Sequence, residues 1–144
     1  MIIVDTNVIS EITRERPAQQ VTAWLDAQAP GNLFTTAISL MEVRFGLAIM
    51  PEGHRRQALT AAMDEIFTRL FAGRILPFDQ QAAEPCARMR SARRAAGRPL
   101  HDFADAAIAA IALSHSATLA TRNLTDFADL GLDLADPWAM PQAG

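Results

Sequence analysis

The chain opens MIIVDTNVIS over residues 1–10, and the reading of this stretch decides the fold. Ile2, Ile3 and Val4 make a short unbroken apolar run of β-branched residues, the pattern of a strand buried on both faces. Asp5 ends the run, and the segment Asn7–Arg14 behind it has helical spacing. A buried strand feeding a helix is the building unit of a parallel α/β sheet, and ligands of such sheets sit beyond the carboxyl ends of the strands. A carboxylate at that tip either caps the next helix or belongs to a site. Taken alone, Asp5 does not decide between the two.

The same pattern recurs along the chain. Strand-like runs lie at Leu33–Thr35, Ile75–Phe78, Thr118–Thr121 and Leu132–Leu134. Helical spacing covers Ala18–Ala27, the strongly apolar Leu40–Met50, Arg55–Phe71, Gln80–Ala96 and Asp102–His115, with a short loop or helix through Phe127. Pro17, Pro30-Gly31-Asn32, Pro51, Gly73 and Gly97 punctuate these segments. The segment Asp102–His115 is apolar almost all round, so it belongs at the centre. The pattern predicts helices around a buried parallel sheet, in one domain over residues 1–140 with a short tail over 141–144.

Composition narrows the function. A chain of 144 residues with half of them apolar is an ordinary globular domain. The formal net charge of −3 argues against holding nucleic acid by bulk electrostatics alone. All 13 basic residues are arginine, and the missing lysine excludes a P-loop, a Schiff base and a phosphoaspartate switch. Cys86 stands alone, so no intramolecular disulfide forms. No apolar run reaches the roughly 18 residues of a membrane span, and the first residues lack the pattern of a secretory leader. The simplest expected location is the cytoplasm.

Acids recur where the sheet would present its ligand edge. They are Asp5, then Glu42 in Ser39-Leu40-Met41-Glu42, then Asp102 and Asp105 in His101-Asp102-Phe103-Ala104-Asp105, then Asp126 after Thr121-Arg122-Asn123. Each has a plain structural role available. Ser39 and Glu42 have the spacing of a capping box, Asp102 suits an N-cap, and Asp105 suits the positive end of a helix dipole. Asp126 reads as a surface acid, and Thr121 and Asn123 as partners of loop backbone. Jointly they read differently. Converging carboxylates repel one another and raise one another's pKa, unless a cation lies between them. Oxygen donors without a histidine–cysteine cluster favour Mg2+ or Mn2+ over Zn2+. His54 and His115 read as surface residues, and His101 as a helix entry or a substrate contact.

The ordered set Asp5-Thr6-Asn7, Glu42, Asp105-Ala106-Ala107-Ile108-Ala109-Ala110 and Thr121-Arg122-Asn123 with Asp126-Phe127 resembles a PIN-domain nuclease. More narrowly, the chain is similar to the VapC toxins of type II toxin–antitoxin modules, in their FitB-like branch. Leu33-Phe34-Thr35-Thr36, Gly73-Arg74-Ile75-Leu76-Pro77-Phe78 and Asp136-Pro137-Trp138 carry that narrower likeness. The resemblance implies a three-layer α/β/α sandwich with a central parallel sheet of four to five strands. It implies a Mg2+- or Mn2+-dependent ribonuclease, usually a homodimer, silenced by a small DNA-binding antitoxin of VapB/FitA type. Asp5, Glu42 and Asp105 match the family's metal-binding acids. Many relatives carry an acid near Asn123; here that residue is neutral, and Asp126 stands as the fourth acid. Asp102 competes with Asp105 for the metal, and the Ala-Ala-Ile-Ala-Ala run favours Asp105.

Thr6, Ser39, Thr121 and Asn123 are then expected to hydrogen-bond the acids. The RNA backbone needs positive partners, and Arg90, Arg93 and Arg94 share a broad helix face with Arg98 just beyond it. A solvated surface face explains the same residues. Phe45, Leu47, Ile49 and the segment Phe67–Phe71 read as core, or as a groove for an antitoxin helix. A degenerate PIN domain that binds without cutting is the rival reading, supported by Asn123. A phosphoaspartate phosphatase would need an acid where Asn7 stands, and a lysine.

Overall fold

The computed structural model describes residues 1–139. The expected boundary at 140 and the tail 141–144 lie outside the described residues. The strands are β1 (Ile2–Val4), β2 (Leu33–Thr36), β3 (Ile75–Leu76), β4 (Thr118–Ala120) and β5 (Asp133–Ala135). They form one parallel sheet in the order β3-β2-β1-β4-β5. The chain winds outward from β1 through β2 to β3, then crosses back to start β4 on the other side of β1. The switch of direction therefore falls between β1 and β4, where the ends of adjacent strands open a crevice.

Side-chain alternation along β1 splits the core in two. Ile3 and Leu119 face one layer, with Ala82, Cys86 and Met89 of α5 (Gln80–Ala95) and the buried face of α6 (Phe103–Ser114). Val4 and Leu33 face the other layer. That layer holds Val8 and Ile9 of α1 (Thr6–Ile12), Val21 of α2 (Gln19–Asp26), Val43 and Leu47 of α3 (Ala37–Ala48) and Met63 of α4 (His54–Glu65). The expected three-layer sandwich is thus present, with five strands. Ala106 to Ala112 of α6 are buried without exception, as its all-round apolar pattern predicts.

Several boundaries differ from the sequence reading. The segment Arg55–Phe71 is α4 followed by a π-turn over Ile66–Leu70, in which Phe71 N–H donates to the Ile66 carbonyl at 3.1 Å. The wider turn buries both Phe67 and Phe71. Gly73 then adopts φ 70°, open to glycine without strain, and ends the segment. β3 stops at Leu76 because Pro77 has no N–H for the ladder. α3 starts at Ala37 rather than near Leu40, because Thr36 caps it by accepting from Ser39 N–H at 3.1 Å.

Candidate active site at the switch point

Asp5 lies one residue past β1, and its N–H continues the ladder to the Ala120 carbonyl at 2.9 Å. This fixes the carboxylate at the switch point. Asp5 Oδ1 accepts from Thr6 N–H at 2.8 Å, and Oδ2 accepts from the Thr121 hydroxyl at 2.7 Å. Asp5 caps α1 and lines the cleft at once, so the two readings of this residue do not compete.

The cleft measures about 480 Å³ and is lined by Asp5, Glu42, Asp102 and Asp105, and by Glu11, which pairs with Arg14. Glu42 reaches it because Ser39 and Glu42 are not a capping box. Both lie inside α3, whose cap is Thr36. The Thr6 hydroxyl donates to Glu42 Oε1 at 2.7 Å. That spends its one proton, so in the 2.9 Å contact between Thr6 and Ser39 the Ser39 hydroxyl donates. Ser39 therefore acts on Glu42 through Thr6. Asp102 caps α6 by accepting from Ala104 N–H at 2.8 Å, and Asp105 follows in the first turn.

The remaining expected residues fall into place less uniformly. Asn123 lines the cleft, and its backbone N–H donates to Thr121 Oγ1 at 3.0 Å. Asp126 is exposed on α7 (Leu124–Phe127) and is not among the residues lining the cleft, although its charge is felt at Asp105. Arg93 is bound to backbone, donating to the Arg98 carbonyl at 2.8 Å and the Asp126 carbonyl at 3.3 Å. Arg98 pairs with Asp129 at 3.3 Å. Arg90 lies over the Phe103 ring at 5.8 Å, and Arg94 is exposed. The two cationic side chains that do line the cleft, Arg14 and Arg122, stand outside the arginine face read from the sequence. Asn7 was also missed as a site residue. Its amide lies 3.4 Å from Asp5 Oδ2, and Asp-Thr-Asn at a strand tip was the signal for it.

The electrostatics are those of crowded acids. Burial raises Asp105 to about 7, with added repulsion from Asp102, Asp5, Glu42 and Asp126. Burial also raises Glu42 and Asp5, against the opposing hydrogen bonds from Thr6 and from Thr121. None of the ion pairs among the described residues involves Asp5, Glu42, Asp102 or Asp105. No three His, Cys, Asp or Glu side chains among those residues stand as a ready-made ligand set. The donor chemistry fits a hard divalent cation, since only oxygen ligands converge and no cationic side chain among the described residues pairs with them.

A parallel sheet with an acid cleft at its switch point is the layout of the PIN domain, whose family model matches residues 2–131. The chain belongs to the PIN domain family. It is similar to VapC ribonuclease Y4jK of Sinorhizobium fredii, 41% identical over 138 residues that span 96% of this chain and 98% of that protein. It is also similar to toxin FitB of Neisseria gonorrhoeae, 39% identical over 138 residues, 96% of this chain and 99% of the relative. The solved structure of FitAB bound to an IR36 DNA fragment matches with a TM-score of 0.90 and 38% identity, covering 100% of both chains.

Proposed function

We propose that this chain is a divalent-metal-dependent endoribonuclease, the toxin of a type II toxin–antitoxin pair. The observation that carries the reading is the cleft itself: of its five acids, Asp5, Glu42, Asp102 and Asp105 pair with no cationic side chain among the described residues, and three of these four have raised pKa. The names of the relatives, a VapC ribonuclease and toxin FitB, support the same reading.

Asp5, Glu42 and Asp105 are the metal-holding acids. Asp102 is the fourth unpaired acid of the cleft, and Asp126 acts by its field on Asp105. A Mg2+ or Mn2+ ion held by these acids would supply the acidity and charge screening that phosphodiester hydrolysis needs. Thr121 and Thr6 keep Asp5 and Glu42 turned into the cleft by donating to them. Arg90 and Arg94, exposed on α5, are the outer contacts to the RNA backbone, whereas Arg93 and Arg98 hold the α5 end to the loop around α7.

A small DNA-binding antitoxin of VapB/FitA type is the proposed partner, in keeping with the FitAB complex. Met41 and Phe45 on α3 and Ile49, its C-cap, recur every fourth residue and are 51%, 62% and 68% exposed. This stripe on the Glu42 helix suits the apolar face of a partner helix. A homodimer is the proposed assembly of the toxin.

The test is cleavage of structured RNA by antitoxin-free protein with Mg2+ or Mn2+, with EDTA, and with Asp5→Asn. Cutting that needs metal and is lost in the variant supports the reading. Folded wild-type protein that cuts none of several RNAs supports a binding module instead, which the neutral Asn123 favours.

A further inference from the structure

Trp138 and Arg122 form a wall of the acid cleft that the acids do not account for. Both line the cleft, and the guanidinium carbon of Arg122 lies 5.0 Å from the Trp138 ring centre. The backbone fixes the two side chains from adjacent strand ends. Thr121 N–H, just before Arg122, donates to the Ala135 carbonyl at 3.0 Å, and Arg122 N–H contacts Asn7 Oδ1 at 3.4 Å. Trp138 N–H donates to Asp136 Oδ1 at 2.9 Å, and its side chain is partly buried against the core layer that holds Val4 and Val8.

An arginine beside four carboxylates would ordinarily pair with one of them. No ion pair among the described residues includes Arg122. Glu11, the other acid of the cleft, feels the field of Arg122 but forms no ion pair with it among the described residues and is bonded elsewhere. It accepts from Arg14 at 3.1 Å and from Ala18 N–H at 3.0 Å. A guanidinium lying on an aromatic face stays charged while its N–H edge remains free, and that edge matches the oxygens of a phosphate.

We infer that Arg122 binds a backbone phosphate of RNA in the cleft and that Trp138 is the positioning residue that holds it there. The inference rests on the ribonuclease reading and deepens it. Asp5, Glu42 and Asp105 would hold the cation, and Arg122 supplies a fixed positive charge in the same cleft. A ring at position 138 matters for its face, not only for its bulk.

The test measures binding of a short single-stranded RNA by anisotropy over a salt series. Ca2+ replaces Mg2+ to hold off cutting, and intact RNA is verified on a gel. Each phosphate neutralised on a single strand contributes about 0.7 to the slope of log affinity against log salt. Arg122→Gln should lower the slope by about that amount. Trp138→Leu should reproduce the loss, and Trp138→Phe should restore it. A wild-type slope in Arg122→Gln, or Leu and Phe variants that behave alike, would overturn the inference. If Trp138→Leu fails to fold, Arg122→Gln, at an exposed side chain, decides alone. RNA binding by wild type with an unchanged slope in Arg122→Gln overturns only this inference; no RNA binding by wild type overturns the ribonuclease reading with it.

Discussion

Thr121 donates its hydroxyl proton to Asp5 across 2.7 Å, joining residues 116 positions apart at the tips of β4 and β1. The bond spans the switch point of the sheet and lowers the pKa of a carboxylate that burial otherwise raises. Thr121→Val keeps the shape and removes the donor. Cleavage should fall by about 10- to 100-fold, the usual cost of losing a partner of a metal ligand. A titration of activity against metal should also shift to higher concentration. Unchanged values for both would remove Thr121 from the site.

The chain of hydroxyls behind Glu42 predicts a graded response. Thr6 touches Glu42 directly, whereas Ser39 bonds Thr6 and Thr36 and reaches Glu42 only through Thr6. Thr6→Val should therefore reduce cleavage more than Ser39→Ala. Equal losses would show that Ser39 reaches the acid by another route. Calorimetric metal binding to the two variants provides a readout independent of turnover.

The metal-free protein should lose stability as pH rises toward neutrality. Asp105 has its pKa raised from 3.8 to about 7, so between these values the folded state holds a proton that the unfolded chain has released. Each step up in pH across that window therefore favours unfolding, and the loss is complete above it. Asp5 and Glu42 are shifted in the same direction. Thermal melts in EDTA should show a falling midpoint through the window and a flatter profile for Asp105→Asn. Added Mg2+ should raise the wild-type midpoint most on the alkaline side of the window. A midpoint that rises with pH in EDTA would contradict the placement of these acids.

The arginines of α5 should separate into two groups. Arg90→Gln and Arg94→Gln should weaken RNA binding and flatten its salt dependence by about 0.7 for each phosphate no longer neutralised. Arg93→Gln should instead lower thermal stability, because Arg93 holds three backbone carbonyls at the α5 end. Melting curves beside binding isotherms distinguish the two effects. A salt slope changed only in Arg93→Gln would reverse the assignment.

Phe45→Glu should leave the fold intact, since the side chain is 62% exposed, and should prevent capture by the co-expressed antitoxin. Size-exclusion chromatography of the variant alone and with the antitoxin gives both readouts. Retained co-elution would remove the α3 stripe from the partner interface.

The local periodicities determined a good deal. The run Ile2–Val4 ending at Asp5 was legible because a strand buried on both faces needs apolar residues on both. The all-round apolar Asp102–His115 was legible as the central helix for the same reason. Asp5, Glu42, Asp102, Asp105 and Asp126 were legible as acids near the expected ligand edge, and the resemblance to PIN-domain nucleases singled out Asp5, Glu42 and Asp105 among them.

Tertiary structure decided what periodicity does not encode. The helix start at Ala37, capped by Thr36, turned Ser39 and Glu42 from a cap into a relay toward the cleft, and a shift of three residues in a helix start has no signature in hydrophobic spacing. Asp126 and the arginine face lie close to the site in sequence, yet only the turn of α7 and the carbonyls around Arg93 set where they stand. Arg122 and Trp138 are sixteen positions apart and meet only because β4 and β5 end side by side. Strand and helix type follow from interactions between neighbours along the chain. The partners of a cleft follow from strand order, which is fixed by burial across the whole sheet.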